Sequence, residues 1–517
     1  MSTIPVPSAP IAVLSDAWRR CVGTGELVLG MRRDYLDSLE LVQAEIGFQH
    51  IRGHGIFHDW MGVLRQYDVG GHAGTRYSWT YLDQVVDAYL ELGIKPFLEL
   101  GFMPEALASG DKTVFWWKGN VTPPRDYADW TALVQATLRH LIARYGRDEV
   151  LTWPVEVWNE PNLPEFWLNA DQAEYFRLYL ETSRAVKEVD PGFQVGGPAV
   201  SPGADEWFVP FAELVAANDL PADFVSFHAY TTGPAQHVPF GVYQTLHHPS
   251  SLLEQFGKPG KILAGTVLEG LPLHVTEFNT SYRPDNPVHD TAYNAAYLAP
   301  TLVGGGDLVD SFSYWTFSDM FEEQGVPVSI FHGGFGLLTH RQLKKPTFHL
   351  YAFMARMGTD VLARGDDHLV TRDAAGRVTV LAWQPVGGTD DPVEPEHHEL
   401  RLSLPVALPD GATPTSAYVH RSVVNDEDGN AFTAWQRMGR PASPTPRQLE
   451  ALYEAAEPVR SHASLPVLSG VDGVGRVELT LTLARHEVTL VEIDPVVDET
   501  PAWLDDSRIV GRGPYGG

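Results

Sequence analysis

The chain holds one cysteine in 517 residues, Cys21, so no intrachain disulfide is possible. That excludes the small disulfide-stapled folds and fits a reducing compartment. Positive charge is also scarce. Lys and Arg total 37 against 66 Asp and Glu, a formal net charge of −29, and a field of that sign repels nucleic acid and anionic lipid surfaces. Neither is expected as a partner. No run of about 18 apolar residues suggests a membrane span. The opening MSTIPVPSAPIAVLSDAWRR lacks the basic start and apolar run of a secretory leader, so the expected location is the cytoplasm. Phosphate-cradling glycines are missing too: Gly23-Thr24-Gly25 lacks the third glycine of a dinucleotide fingerprint, and no Gly-Lys-Ser/Thr loop occurs. This argues against an open doubly wound sheet, and no cofactor is expected.

Apolar and aromatic residues are plentiful: 44% of the chain is hydrophobic, with 14 Trp, 19 Tyr and 23 Phe, enough for two packed cores. Between residues 34 and 320 short apolar runs alternate with amphipathic ones. The runs start at Phe48, Lys95, Val155, Phe193, Asp223, Leu271 and Ser311, and a weaker one ends at Gly25. Between them lie helical spacings such as Tyr35, Leu39, Val42, Ile46 and Leu82, Val85, Val86, Tyr89. Eight strand–helix pairs predict an α/β fold, a (β/α)₈ TIM barrel over residues 16–358. Beyond it the pattern changes to alternation, as in Val477, Leu479, Leu481 and Leu483. Residues 359–517 therefore read as an accessory antiparallel β-sandwich, to which residues 1–15 are available to add a strand. Residues 425–460 interrupt it, with a short helix expected near Gln448–Ala456.

In such a barrel the chemistry sits where strands end. The fourth run closes in Trp158-Asn159-Glu160-Pro161-Asn162 and the seventh in Thr276-Glu277-Phe278-Asn279. A carboxylate at the end of a buried run is costly unless paired or employed. Three units of about 40 residues separate the two, which leads from strand four to strand seven. One such Glu alone is equally a salt bridge capping a strand; the matched pair points instead to glycosidic bond cleavage. At about 5 to 5.5 Å apart, one carboxyl protonates the leaving oxygen while the other forms a glycosyl ester. Glu160, beside Trp158 and Phe166, is the better acid.

The ordered motifs Ile51-Arg52-Gly53-His54-Gly55, Val157 to Asn162, Phe224 to Tyr230, Val275 to Asn279 and Tyr314 to Asp319 followed by Glu322-Glu323 resemble glycoside hydrolase family 39, the β-xylosidases and α-L-iduronidases. The resemblance implies Glu160 as acid/base and Glu277 as nucleophile, in agreement with the positional reading. It also implies that Asn159 contacts the sugar 2-hydroxyl, and that His54, His228, Tyr230, Trp315, Glu322 and Glu323 line the glycone subsite.

Each supporting residue has a plainer reading. His54 and His58 stand four apart like a metal pair, but Gly53 and Gly55 make a helix there improbable; no metal is expected, and His54 reads as a sugar contact or a satisfied buried histidine. Trp315 and Tyr230 gain weight from their strand-end positions, whereas Phe166 and Trp116 are weaker candidates for a sugar-stacking wall. Glu322 and Glu323 would be surface residues without the resemblance. An iduronidase needs a cation for its uronic carboxylate, and none follows His228. The expected activity is thus a retaining, exo-acting β-D-xylosidase on short xylo-oligosaccharides. The alternatives are an iduronidase, arabinosidase or endoglucanase on the same barrel, or a non-catalytic sugar-binding protein; a metal-dependent isomerase would need clustered ligands. Oligomeric state is open.

Overall fold

The computed structural model describes residues 3–239, 241–390, 395–407, 414–469 and 474–497. Eight parallel strands close a barrel in chain order: β1 Cys21–Glu26, β2 His50–His54, β3 Lys95–Leu100, β4 Val155–Val157, β5 Val195–Val200, β6 Phe224–Tyr230, β7 Leu273–Asn279 and β8 Ser311–Tyr314. All seven expected runs are strands, and the weaker candidate ending at Gly25 is β1. Each strand is followed by a helix: α1 Arg33–Glu45, α2 Thr80–Glu91, α3 Tyr127–Tyr145, α4 Gln172–Val189, α5 Phe208–Asn218, α6 Ser250–Ile262, α7 Ala292–Gly304 and α8 Pro346–Ala355.

The helices form where the apolar spacing dictates. In α2 the residues Leu82, Val85, Val86 and Tyr89 are the buried stripe. α3 and α4 begin at Asp126 and Asp171, whose side chains accept from the backbone N–H groups of Ala128 and Glu174. The amino-terminal end of the barrel is plugged by Cys21, Phe97 and Phe224, with the Phe224 ring edge-on to His274 at 5.1 Å. Burial in that plug pushes the Cys21 thiol up to about 12, so it is an inert packing residue.

The remaining strands are β9 Asp360–Arg364, β10 His368–Arg372, β11 Val378–Trp383, β12 His397–Val406, β13 Ser416–Val424, β14 Val459–Pro466, β15 Gly475–Ala484 and β16 Val488–Val496. One sheet has the order Ala12–Val13, β9, β10, β11, β16, β13, β14; the other runs Ile4–Pro5, β12, β15, Leu468–Ser469. Their facing residues, including Leu400, Leu402, Val477, Leu479, Val380 and Val491, form a core separate from that of the barrel. The amino-terminal segment supplies a strand to each sheet, and Ile4–Pro5 joins β12 in parallel while the long pairings are antiparallel.

Two helices inserted between β13 and β14, α9 Ala431–Arg437 and α10 Pro446–Ala456, return to the barrel. α10 opens with a reciprocal cap between Thr445 and Gln448. Together they pack Trp435, Leu452 and Ala456 against Ile330, Phe331 and Leu343 of the segment that follows β8. The second domain thus braces the longest loop at the mouth of the barrel. Among the described residues no helix is long and apolar enough to cross a membrane.

Candidate active site

The carboxyl ends of the strands surround a cavity of about 530 Å³. Beneath the cavity lining lies a buried charge network centred on Arg52 of β2. Arg52 Nε donates to Glu156 Oε2 at 2.6 Å, Nη1 to Glu277 Oε1 at 2.9 Å, and Nη2 to Asn159 Oδ1 at 2.8 Å. Nη2 also lies 3.0 Å from Glu99 Oε2. Four barrel strands are therefore tied through one guanidinium whose rigid fork fits this number of acceptors. Neighbouring carboxylates hold the Arg52 guanidinium above its ordinary range against the cost of burial. Because arginine can only donate, it fixes the Asn159 amide with its oxygen inward, leaving the –NH₂ for the cavity.

The two glutamates converge. One oxygen from each, together with a ring nitrogen of His228, all lie within 4.8 Å of one another. Glu277 has a donor on each oxygen: Arg52 on Oε1 and the Tyr230 hydroxyl on Oε2 at 2.8 Å. Both contacts stabilise negative charge. Among the described residues no cation contacts Glu160; its partner is His228 Nδ1 at 2.8 Å. Burial raises the Glu160 carboxyl to about 7, although His54 and Arg52 pull the other way. Burial also lowers His228 to about 4, with Glu277 opposing, so that imidazole is neutral when Glu160 titrates.

Local backbone geometry aims these groups. Trp158 and Glu160 both have left-handed backbones, φ 72° and 43°, a strained conformation for residues with side chains. The turn is held by the Glu160 N–H donating to Ala199 O and by the Trp158 indole donating to Phe166 O. It sends Trp158 into the core and leaves Asn159 and Glu160 lining the cavity.

The cavity lining includes His54, Asn159, Glu160, Phe166, Tyr230, Glu277, Trp315 and Glu323. His54 Nδ1 is 2.7 Å from Glu99 Oε2, and its Nε2 stands 3.8 Å from Glu277 and 3.7 Å from Glu323. His58 pairs instead with Glu26 at 2.6 Å, so the two histidines do not share a ligand position. Burial and the neighbouring carboxylates of Glu277, Glu160 and Glu99 push Glu323 well above the usual carboxylate range. His228 lies behind Glu160.

Three expected contacts are not brought into the cavity: His228, whose buried ring meets Glu160 instead, Glu322 and Trp116. Glu322 has a left-handed backbone, φ 59°, which separates its direction from that of Glu323; its carboxylate meets Arg32 at 2.5 Å. Trp116 is 51% exposed and stands edge-on to Trp60, while its backbone N–H donates to Glu323 O at 2.7 Å. Conversely, Arg52, Glu99 and Glu156 are absent from the expected site, although a charge inside each of three apolar strands is a usable signal. Tyr282, Ser201 and Phe335 also line the cavity, and loop composition gives no hint of them.

A closed barrel that brings two carboxylates together at the carboxyl ends of its strands is an architecture of glycoside hydrolysis. The sequence model of Glycosyl hydrolases family 39 matches residues 5–471; the chain belongs to that family and is a glycoside hydrolase. It is 46% identical over 514 residues to a β-xylosidase of Geobacillus stearothermophilus, covering 98% of this chain and 99% of that one. A β-xylosidase of Caldicellulosiruptor saccharolyticus is 34% identical over 488 residues, covering 93% and 96%. The crystal structure of the GH39 enzyme from Xanthomonas axonopodis pv. citri superposes with a TM-score of 0.85 at 34% identity, covering 96% of this chain and 97% of that one.

Proposed function

We propose that the protein is a retaining β-D-xylosidase that releases xylose from the non-reducing end of short xylo-oligosaccharides. The observation that supports the mechanism is that one carboxylate oxygen of Glu160 and one of Glu277 approach to within 4.8 Å. Retaining enzymes need about 5 to 5.5 Å between the two carboxyls, whereas inverting enzymes need about 6.5 to 9.5 Å to seat a water.

Glu277, with Arg52 and Tyr230 on its oxygens, attacks the anomeric carbon and forms the glycosyl ester. Glu160, protonated up to about pH 7, gives its proton to the departing oxygen. As a carboxylate it then takes a proton from the water that opens the ester. The Asn159 –NH₂ group, held by Arg52, donates to the 2-hydroxyl, and that contact strengthens as charge develops at the ring. His54 Nε2, between Glu277 and Glu323, has the spacing to meet a further hydroxyl of the glycone.

A neutral pentose is favoured over a uronic acid because no Lys or Arg appears in the described lining; an iduronide would leave its carboxylate without a cation. The walls are aromatic, with Trp315, Phe335, Tyr230 and Tyr282, as the C–H faces of a pyranose require. Both curated relatives above are β-xylosidases. A panel of aryl glycosides tests the reading: β-xyloside should turn over fastest among β-xyloside, α-arabinoside, β-glucoside and α-iduronide. A faster α-iduronide or β-glucoside would overturn the substrate assignment. Product sizes from xylo-oligosaccharides check the exo mode, with xylose expected as the first product at every chain length.

A further inference from the structure

We propose that the half of the cavity built by the loops after β4 to β7 is a subsite for the departing sugar, where Glu165 accepts a hydrogen bond from a hydroxyl of that sugar and Tyr282 donates one to it. The site thereby selects a neutral saccharide as leaving group. This rests on the reading of Glu160 as the acid of a xylosidase.

The cavity has two halves on either side of the paired glutamates. His54 enters from the end of β2, and Trp315 and Glu323 from the end of β8 and the loop beyond it. Facing them, Glu165 and Phe166 come from the loop after β4, Pro202 and Pro234 from those after β5 and β6, and Tyr282 from that after β7. The glycone contacts named above occupy the first half. An acid has to stand beside the oxygen that departs, and Glu160 follows β4, so the leaving group lies on the side of β4 to β7. At about 530 Å³ the whole space falls within the about 300–1,000 Å³ that encloses a drug-sized ligand, more than a single pentose fills.

This second half combines apolar faces with polar groups that have capacity to spare. The Phe166 ring is held by an edge contact with Phe115, centroids 5.3 Å apart, and its carbonyl by the Trp158 indole. With Pro202 and Pro234 it offers an apolar surface to the C–H face of a pyranose. Tyr282 is 42% exposed, and its hydroxyl oxygen accepts from the Ala235 N–H at 2.9 Å. The phenol therefore has its own hydrogen left to donate, and the contact ties the loop after β7 to the loop after β6. Gln244 joins the same two loops: its amide donates to Thr232 Oγ1 at 3.0 Å and accepts from Ser281 Oγ at 2.7 Å. That wall is thus fixed by the protein alone.

Glu165 is exposed at the rim. Its charge reaches the acid: burial is the main cause of the rise at Glu160, and the carboxylates of Glu99 and Glu165 add to it. An ionised carboxylate only accepts, so a leaving group must bring a donor to be held there. A sugar brings hydroxyls. A phenyl group has a face to stack but nothing for Glu165, and an anionic group is repelled.

The test compares xylobiose with phenyl β-xyloside at pH 6, using the full chain. Glu165→Ala should lower the ratio of kcat/KM on xylobiose to that on phenyl xyloside by at least about tenfold, the worth of a hydrogen bond to a charged group. Tyr282→Phe keeps the ring and loses the hydroxyl, and should lower the same ratio about three- to tenfold. Ratios unchanged in both variants overturn the subsite, as does a wild type that hydrolyses phenyl xyloside and leaves xylobiose intact. A second measurement reads the charge. The rate on 4-carboxyphenyl β-xyloside relative to that on its methyl ester should rise about threefold in Glu165→Gln, the effect of removing a like charge about 6 Å away in water. An unchanged or lower ratio counts against a carboxylate at the leaving group. A Glu160→Gln variant with the wild-type rate on xylobiose would remove the acid assignment itself. Strong Glu160 dependence with unchanged Glu165 and Tyr282 ratios would remove only the subsite.

Discussion

Replacing Glu160 by Gln separates the proton donor from everything else the site does, because the amide keeps the shape and cannot donate an acid proton. The structure sets the size of the effect. Burial moves this carboxyl from 4.5 to about 7. At pH 6 such a group is about nine-tenths protonated, while an ordinary carboxyl is about 3% protonated, roughly a thirtyfold difference in available acid. The kcat/KM profile of the wild type on a phenyl xyloside should therefore hold up to about pH 7 and then fall about tenfold per pH unit. In Glu160→Gln the rate at pH 6 should drop by about 10²–10⁴, and the upper limb should vanish with a dinitrophenyl leaving group. Stability carries the same signature with a definite sign. A carboxyl whose folded pKa is raised favours the fold at low pH and loses that advantage as pH rises from 4.5 through about 7. Glu160→Gln should thus gain on the wild type across that window, by on the order of 3 kcal/mol at most above it, as read by urea unfolding at pH 5 and pH 8. An upper limb that persists unchanged in the variant, with no pH-dependent gain in stability, would refute the reasoning.

Other outcomes follow from the same geometry. Glu277→Ala should lose nearly all activity and regain turnover with azide, giving the α-glycosyl azide from a β-xyloside, detectable by NMR; a folded variant without rescue would speak against Glu277 as the nucleophile. Arg52→Met leaves Glu99, Glu156 and Glu277 buried around a missing cation, and should cost about 3–5 kcal/mol in denaturant unfolding; a loss under about 1 kcal/mol would mean that the network is not the anchor described. Glu322→Gln breaks a partly exposed pair with Arg32 of small worth, so kcat/KM should change little. Glu323→Ala removes a group that lines the cavity and should lower kcat/KM at least about tenfold; equal effects of the two substitutions would contradict the division of roles.

The barrel is legible because a buried parallel sheet writes itself as apolar runs at regular intervals, and carboxylates that end two runs three units apart form a matched pair. Glu160 and Glu277 stand out on that argument alone. Arg52, Glu99 and Glu156 lie one pleat deeper, inside the runs. Their mutual neutralisation depends on barrel closure, which brings residues from 52 to 277 onto one guanidinium and leaves no local trace. The division of Glu322 from Glu323 turns on one left-handed backbone angle, which residue type does not dictate. Phe335 and Tyr282 reach the cavity on loops whose paths follow no period. In the second domain, alternation marked β15 clearly, whereas α9, at seven residues, is too short for helical spacing to declare itself. The parallel pairing of Ile4–Pro5 is a matter of chain trajectory that two residues cannot encode.

The most direct measurement follows the anomeric configuration of the first sugar released from an aryl β-xyloside by NMR, before mutarotation scrambles it. The proposed double displacement predicts that β-xylose appears first and the α anomer only as equilibrium is approached. Initial release of α-xylose would mean single displacement by water, and the pairing of Glu277 with the anomeric carbon would have to be abandoned.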